Sequence, residues 1–184
     1  MVSKLNGHRN IYDVVKKGKL DIVNQPISKA HGLPNECYNS REYTGIERKK
    51  IFEDKWIVVG VASSIPKPGD VKPFDVLGIP LILLRTKSNK IKVYHNVCSH
   101  RGYKILQKKC SIKNVLRCPY HSWSYNLEGK LVATPHLGGM DKHNSKDFDK
   151  SINGLKEVRS YLWLDMIMIN ISNNEIPFEQ YIKP

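Results

Sequence analysis

Two short segments of the chain carry side chains able to hold a metal: Cys98-Ser99-His100-Arg101-Gly102 and Cys118-Pro119-Tyr120-His121-Ser122-Trp123. The pattern is C-x-H, seventeen residues, then C-x-x-H. Two thiolates and two imidazoles suit a [2Fe–2S] cluster in which both Cys hold one iron and both His hold the other. A zinc ion also accepts Cys₂His₂, but structural zinc sites usually take their ligands as C-x₂₋₄-C and H-x₃₋₅-H pairs. Here each pair is one Cys and one His, and a single residue separates the first pair. That reach suits two irons facing two loops better than one tetrahedral ion. The remaining reading is four residues with no shared role.

Replacing two thiolates by neutral imidazoles removes two negative charges from the cluster. This makes reduction easier, and His₂Cys₂ centres of the Rieske type accordingly sit at about −150 to +300 mV against about −400 mV for all-Cys plant-type ferredoxins. Gly102 is expected to permit a tight turn and to leave room for the second loop, and Pro119 to fix φ there. Trp123 and Tyr125 are candidates to shield the cluster or hydrogen-bond to it, or else are core aromatics.

The elements that must position these loops read mainly as β. Apolar runs at Trp56–Ala62, Val71–Leu77, Pro80–Arg85 and Ile91–Asn96 are predicted strands, broken by turns at Pro66–Asp70 and Ser88-Asn89. One ligand loop, residues 97–102, follows a strand. Asn114–Arg117 leads into the other, residues 118–123. Leu127-Glu128-Gly129-Lys130 predicts a hairpin turn returning through Leu131–Ala133, and residues 138–150 a solvated polar loop. Gly154–Ser160 and Trp163–Ile171 predict a final hairpin. Asn39 and Glu42 suggest a capping box for one helix over residues 40–54. The fold class expected is therefore a mainly β, antiparallel sandwich with a two-loop cluster-binding subdomain and one N-terminal helix. Residues 1–38, with Gly7, Gly18, Pro26, Gly32 and Pro34, predict an extended arm. Residues 39–171 would be the cluster domain and 172–184 a linker.

A chain of 184 residues, 40% hydrophobic and 26% charged, suits one soluble globular domain. No apolar run is long enough to span a bilayer, and Met1–Asn10 has charges without an apolar stretch behind them. A cytoplasmic protein with no membrane partner is expected. Cys37 and Cys110 are too few for a disulfide framework and read as reduced thiols. The net charge of +13 admits a solvated basic surface, an acidic protein partner or nucleic acid. The Lys and Arg residues look scattered and accompany no nucleic-acid-binding motif, so no nucleic-acid partner is expected.

The two boxes, with Tyr94-His95-Asn96-Val97 before the first and Ser124-Tyr125 after the second, resemble the N-terminal part of Rieske non-heme iron oxygenase α subunits, the ring-hydroxylating dioxygenases and their choline- and carnitine-monooxygenase-like relatives. Lesser matches are Pro68-Gly69-Asp70, Leu127-Glu128-Gly129, Ala133-Thr134-Pro135-His136 and Pro177-Phe178-Glu179-Gln180-Tyr181. The resemblance covers about residues 35–184. It implies one [2Fe–2S] cluster per chain on Cys98, His100, Cys118 and His121, electrons from a reductase or ferredoxin, and delivery to a mononuclear Fe(II) in a catalytic domain, own or of a neighbouring α subunit, within a homotrimer. High-potential Rieske proteins carry two further Cys that clamp the loops. Tyr103 and Tyr120 stand at those positions, which implies the low-potential class. Ser122 stands where the family more often has Gly.

The family's catalytic iron uses two His and a carboxylate, typically D-x₂-H-x₄-H, and this sequence has no such motif. His136, His143, Asp141 and Asp147 are the remaining His/Asp cluster, with the wrong spacing for an iron site, and His95 is expected to be packed in a strand. The expected function is thus the electron-transfer domain of an oxygenase α subunit whose catalytic domain is absent from this chain. The alternatives are a stand-alone Rieske ferredoxin, which its length and flanks disfavour, and a zinc-binding interaction module.

Overall fold

The computed structural model describes residues 10–183, so Gly7 and the first nine residues of the expected arm lie outside the described residues. The chain divides after Lys55 into two compact units. In the first, residues 10–39 are not extended. They form a 3-10 turn at Ile11–Asp13 capped by Asn10, then α1 (Lys17–Asp21) and α2 (Glu36–Asn39). Val15, Cys37 and Tyr43 bury together with Ile11, Val14 and Leu20 against them. That small apolar set is what the polar composition of the segment concealed. The predicted helix is present as α3 (Arg41–Glu47) continued by a π-helical turn at Arg48–Glu53. Its cap is Ser40 rather than Asn39: the Ser40 hydroxyl accepts from the Tyr43 N–H at 3.2 Å and donates to Glu42 at 2.9 Å. Asn39 is instead the last residue of α2.

The second unit is mainly β, and its strand pairings are antiparallel. Its strands are β1 (Ile57–Val61), β2 (Asp70–Val76), β3 (Ile79–Arg85), β4 (Ile91–His95), β5 (Cys110–Ser111), β6 (Val115–Arg117), β7 (Ser124–Asn126), β8 (Leu131–Ala133), β9 (Glu157–Trp163) and β10 (Met166–Asn170). Seven form one sheet in the order β1-β10-β9-β4-β3-β2-β5, and β6-β7-β8 form a second of three strands. The final hairpin runs later in its first strand than predicted, because the turn falls at Leu164-Asp165, with Leu164 at φ 57°. A polar/apolar reading gave no signal for β5, two residues held by pairing Val71 with Cys110.

The alternating pattern of these strands makes two cores. On one side, Leu81, Leu83 and Val93 bury with Ile65, Val158, Ile167 and Ile169. On the other, Ile82, Leu84 and Tyr94 bury with Leu116, Trp123, Tyr125, Leu127 and Leu131, and Cys98 and Cys118 belong to this second cluster. Successive strand residues point to opposite faces, so Leu81–Leu84, buried on both sides, is the continuous apolar run the sequence displays. Residues 172–183 are mostly exposed, and Phe178 is the buried side chain among them. The short helix α4 (Phe178–Tyr181) buries Phe178 edge-on to Trp56 at 5.4 Å and stacked on Tyr161 at 4.8 Å.

Candidate metal centre

The two predicted ligand loops have the same local construction. In the first, the Cys98 N–H donates to the Tyr103 carbonyl (2.8 Å) and the Gly102 N–H to the Cys98 carbonyl (2.9 Å). In the second, the Cys118 N–H donates to the Trp123 carbonyl (2.8 Å) and the Ser122 N–H to the Cys118 carbonyl (3.0 Å). Both turns close through a left-handed residue four positions after the Cys, Gly102 at φ 68° and Ser122 at φ 59°. A Cβ on Gly102 would meet nothing within 4 Å. Its role is therefore the positive φ, which glycine adopts freely, and not the clearance for the second loop that the sequence suggested.

Each loop is anchored from below. The second joins β6 to β7, whose register places Arg117 opposite Ser124 at its neck. The first is pinned by Asn96, a fully buried side chain that donates to the Leu106 carbonyl (2.7 Å) and accepts the Leu106 N–H (2.9 Å). Sequence reasoning missed Asn96 as a clamp, although it stands in the segment that carries the family resemblance. Tyr125, on β7, ties the two loops together. Its hydroxyl lies 3.2 Å from the Cys98 sulfur, accepts the Ser99 N–H at 3.0 Å and sits 2.9 Å from the Ser99 hydroxyl, which donates to the Asn153 carbonyl at 2.7 Å.

The four side chains meet as two pairs. Cys98 and Cys118 are both buried in the same apolar cluster, and burial, then Cys98, helps to raise the Cys118 thiol. His100 and His121 are half-buried, with ring centroids 4.8 Å apart. His100 stacks on Trp123 (4.6 Å, 9°), and Tyr120 leans on His121 (3.8 Å). Burial raises the Cys118 thiol above its ordinary value, against the pull of the Tyr120 and His121 backbone N–H groups aimed at its sulfur. Burial, His121 and the Arg101 charge hold His100 below the usual histidine value, which favours the neutral imidazole that metals bind.

His121 Nδ1 is buried and has no hydrogen-bond partner among the described residues. Such an atom costs about 1–3 kcal/mol unless something binds it, and a metal at this position would. The Tyr94 hydroxyl, whose ring packs over Gly129, is the other buried polar atom left without a partner among them. No three His, Cys, Asp or Glu side chains among the described residues gather into a single-ion site. A two-iron centre asks for two pairs rather than a convergent set of four, and the donors here fit it.

The other candidates separate from this centre. His136 and His143 face each other at 5.5 Å, but each Nδ1 is engaged within its own loop, accepting from the Asp141 and His136 N–H groups at 3.3 Å. The loop of residues 138–150 is mostly exposed, as predicted, with Phe148 packing on the core and meeting Trp123 edge-on at 5.4 Å. His95 is half-buried on β4, as its strand position predicts. No helix among the described residues is long and apolar enough to cross a membrane.

The model for the Rieske [2Fe-2S] domain matches residues 55–153, the part of the chain that holds both loops and most of the antiparallel frame. The chain belongs to that family, whose cofactor is the [2Fe–2S] cluster. It is 29% identical over 86% of its length to the 2-aminobenzenesulfonate 2,3-dioxygenase subunit alpha of Alcaligenes sp., and 35% identical over 70% to the glycine betaine monooxygenase oxygenase subunit of Chromohalobacter salexigens. The apo crystal structure of a quaternary ammonium Rieske monooxygenase superposes on 82% of the chain with a TM-score of 0.74 at 28% identity. The chain spans only 40%, 27% and 43% of these proteins, respectively. What it shares with them is the Rieske part of oxidoreductases.

Proposed function

We propose that this chain is the electron-transfer part of a Rieske oxygenase α subunit, with Cys98 and Cys118 on one iron and His100 and His121 on the other. The observation that carries the ligand assignment is the buried, unpartnered His121 Nδ1 beside His100, adjoining the paired buried sulfurs. When bound, the cluster supplies a one-electron couple. The residues around it do the rest. Cys98 and Cys118 keep the sulfur side dry within the apolar core, Trp123 fixes the His100 ring by stacking, and the histidine side lies nearest the surface.

In this reading a reductase or ferredoxin delivers the electron, and a mononuclear iron in a catalytic domain, in the same subunit or a neighbouring one, receives it. Residues 39–171 make the cluster domain, 172–184 lead toward the catalytic part, and the protein works in the cytoplasm without a nucleic-acid or membrane partner. The experiment is iron, labile sulfide and zinc analysis with electron paramagnetic resonance on the 184-residue protein after anaerobic reconstitution. Two irons and two sulfides per chain are expected, lost in Cys98→Ala and in Cys118→Ala. Stoichiometric zinc in a colourless protein would end the proposal.

A further inference from the structure

Both ligand loops meet the same short segment, residues 148–153, which supplies no candidate ligand. Phe148 packs on the apolar cluster that holds Cys98 and Cys118, and its ring meets Trp123 edge-on at 5.4 Å and 72°. Trp123, 3% exposed, lies face to face with the His100 ring at 4.6 Å and 9°. At the other end of the segment, the Asn153 carbonyl accepts the hydroxyl of Ser99, the residue between Cys98 and His100, at 2.7 Å. One end thus reaches His100 through the last residue of the second loop, and the other end reaches the first loop directly.

The segment has its own internal ties. The Asp149 carboxylate accepts the Ser151 N–H at 2.7 Å, and the Asp149 carbonyl accepts the Asn153 side-chain amide at 2.7 Å. Just beyond it, the Leu155 N–H donates to the Gly129 carbonyl at 2.7 Å, and the Leu155 side chain is buried. Gly154 makes that seat possible, because a Cβ there would lie 2.8 Å from the Gly129 carbonyl oxygen. Gly129 stands in the turn between β7 and β8, in the small sheet that carries the second ligand loop. The segment is therefore anchored to the same frame as the loops it touches. Stacking sets the tilt of the His100 ring only as firmly as Trp123 is itself held. An edge-on aromatic neighbour holds it, because ring pairs carry an angular preference as well as buried area.

We propose that residues 148–153 brace the site from outside its loops: Phe148 positions the His100 ring through Trp123, and Asn153 holds the first loop through Ser99. This rests on the functional reading above and adds two positioning residues that are not ligands.

The test compares variants of the reconstituted 184-residue protein, with iron and sulfide measured on every sample. Electron nuclear double resonance of the reduced cluster reads the nitrogen couplings of its two histidines. Phe148→Ala should broaden one of these couplings and leave the other sharp. Phe148→Leu, which refills the volume without a ring, should recover the melting temperature but not the sharp coupling, and Phe148→Tyr should recover both. Should Phe148→Ala fail to fold, the contrast between Phe148→Leu and Phe148→Tyr decides. Asn153→Ala should speed loss of the visible cluster bands to an iron chelator by about two- to tenfold, the range that one neutral hydrogen bond carries. Met140→Ala, in the same polar loop and 87% exposed, should change neither readout.

Sharp couplings in Phe148→Ala, or their return in Phe148→Leu, would overturn the role of Phe148, the second because filling alone would then suffice. Chelator loss in Asn153→Ala no faster than in wild type would overturn that of Asn153. A wild-type protein that takes up no iron and sulfide fails the functional reading alone. The brace is then read by nuclear magnetic resonance with isotope-labelled histidine, where the ring current of Trp123 should shift the His100 ring protons upfield of those of exposed His31 in wild type and not in Phe148→Leu. Equal shifts in those two proteins would overturn it.

Discussion

Tyr125→Phe isolates one hydrogen bond to the sulfur side of the site. The proton inventory is tight. The Ser99 hydroxyl gives its single proton to the Asn153 carbonyl, and the Ser99 N–H already donates to the Tyr125 oxygen. The one phenolic proton then faces two acceptors, the Ser99 oxygen at 2.9 Å and the Cys98 sulfur at 3.2 Å. With Cys98 a metal-bound thiolate, the charged acceptor takes it, because charge-assisted bonds are roughly twice as strong as neutral ones. A bond to a charged group is worth about 1.5–3 kcal/mol. If about half of that depends on charge, the reduced state, one electron richer, gains about 1 kcal/mol from the hydroxyl relative to the oxidised state. At 59 mV per tenfold for a one-electron couple, Tyr125→Phe should lower the midpoint by about 40 mV. The assay is a potentiometric titration followed by visible and paramagnetic resonance spectra at matched iron content. A midpoint that stays put or rises would show that the hydroxyl points to Ser99 rather than to sulfur.

Ser122→Gly should raise the thermal midpoint, because a non-glycine residue at φ 59° carries a left-handed cost of about 1–2 kcal/mol that glycine removes, offset in part by about 0.5–1 kcal/mol of added unfolded-state freedom. Gly102→Ala should lower it, through φ alone, since its Cβ would find open space. Asn96→Leu strands the Leu106 N–H and carbonyl in a partly buried position, at about 2–4 kcal/mol by denaturant melts, and should make cluster loading incomplete by loosening the first loop. For pH, the Asp70 carboxylate accepts the Lys67 N–H and is held below the ordinary aspartate value, first by that bond. Its stabilisation is present above the unfolded value near 3.9 and lost as pH falls through the lower folded value. Asp70→Asn should therefore be less stable than wild type at neutral pH, and equally stable once both are melted in strong acid.

Much of this was legible in the sequence, for physical reasons that differ by element. The C-x-H and C-x-x-H boxes stand out because two thiols and two imidazoles at that spacing suit a mixed two-iron site. Strands β2 to β4 are legible because a half-buried or fully buried strand writes its environment into a period of two or an unbroken apolar run. What escaped is what side-chain type does not encode. The fold of residues 10–39 depends on three or four apolar residues meeting across a polar segment, which no local period announces. The Asn96 clamp and the Tyr125 bridge depend on contacts spanning ten and twenty-seven residues. The shift of the last hairpin turns on one residue, Leu164, adopting a left-handed conformation its type disfavours.

The repeated loop construction and the unequal surroundings of the two pairs belong to one argument. Each loop uses the same pair of backbone hydrogen bonds and a left-handed fourth residue, so Cys98 and Cys118 stand at equivalent positions of their turns, while His100 and His121 follow them at two and three residues. Backbone symmetry alone would make the two sides of the site equally exposed. The difference comes from what lies below and above. The sulfurs rest on Leu116, Tyr125 and Leu127 of a closed core, while the imidazoles are covered only by Trp123 on one side and the exposed tyrosines on the other. A low-dielectric floor beneath the charged thiolates resists added negative charge, and neutral imidazoles near water resist it less. In the proposed centre the surroundings would therefore oppose added charge at the sulfurs and admit it more readily at His100 and His121.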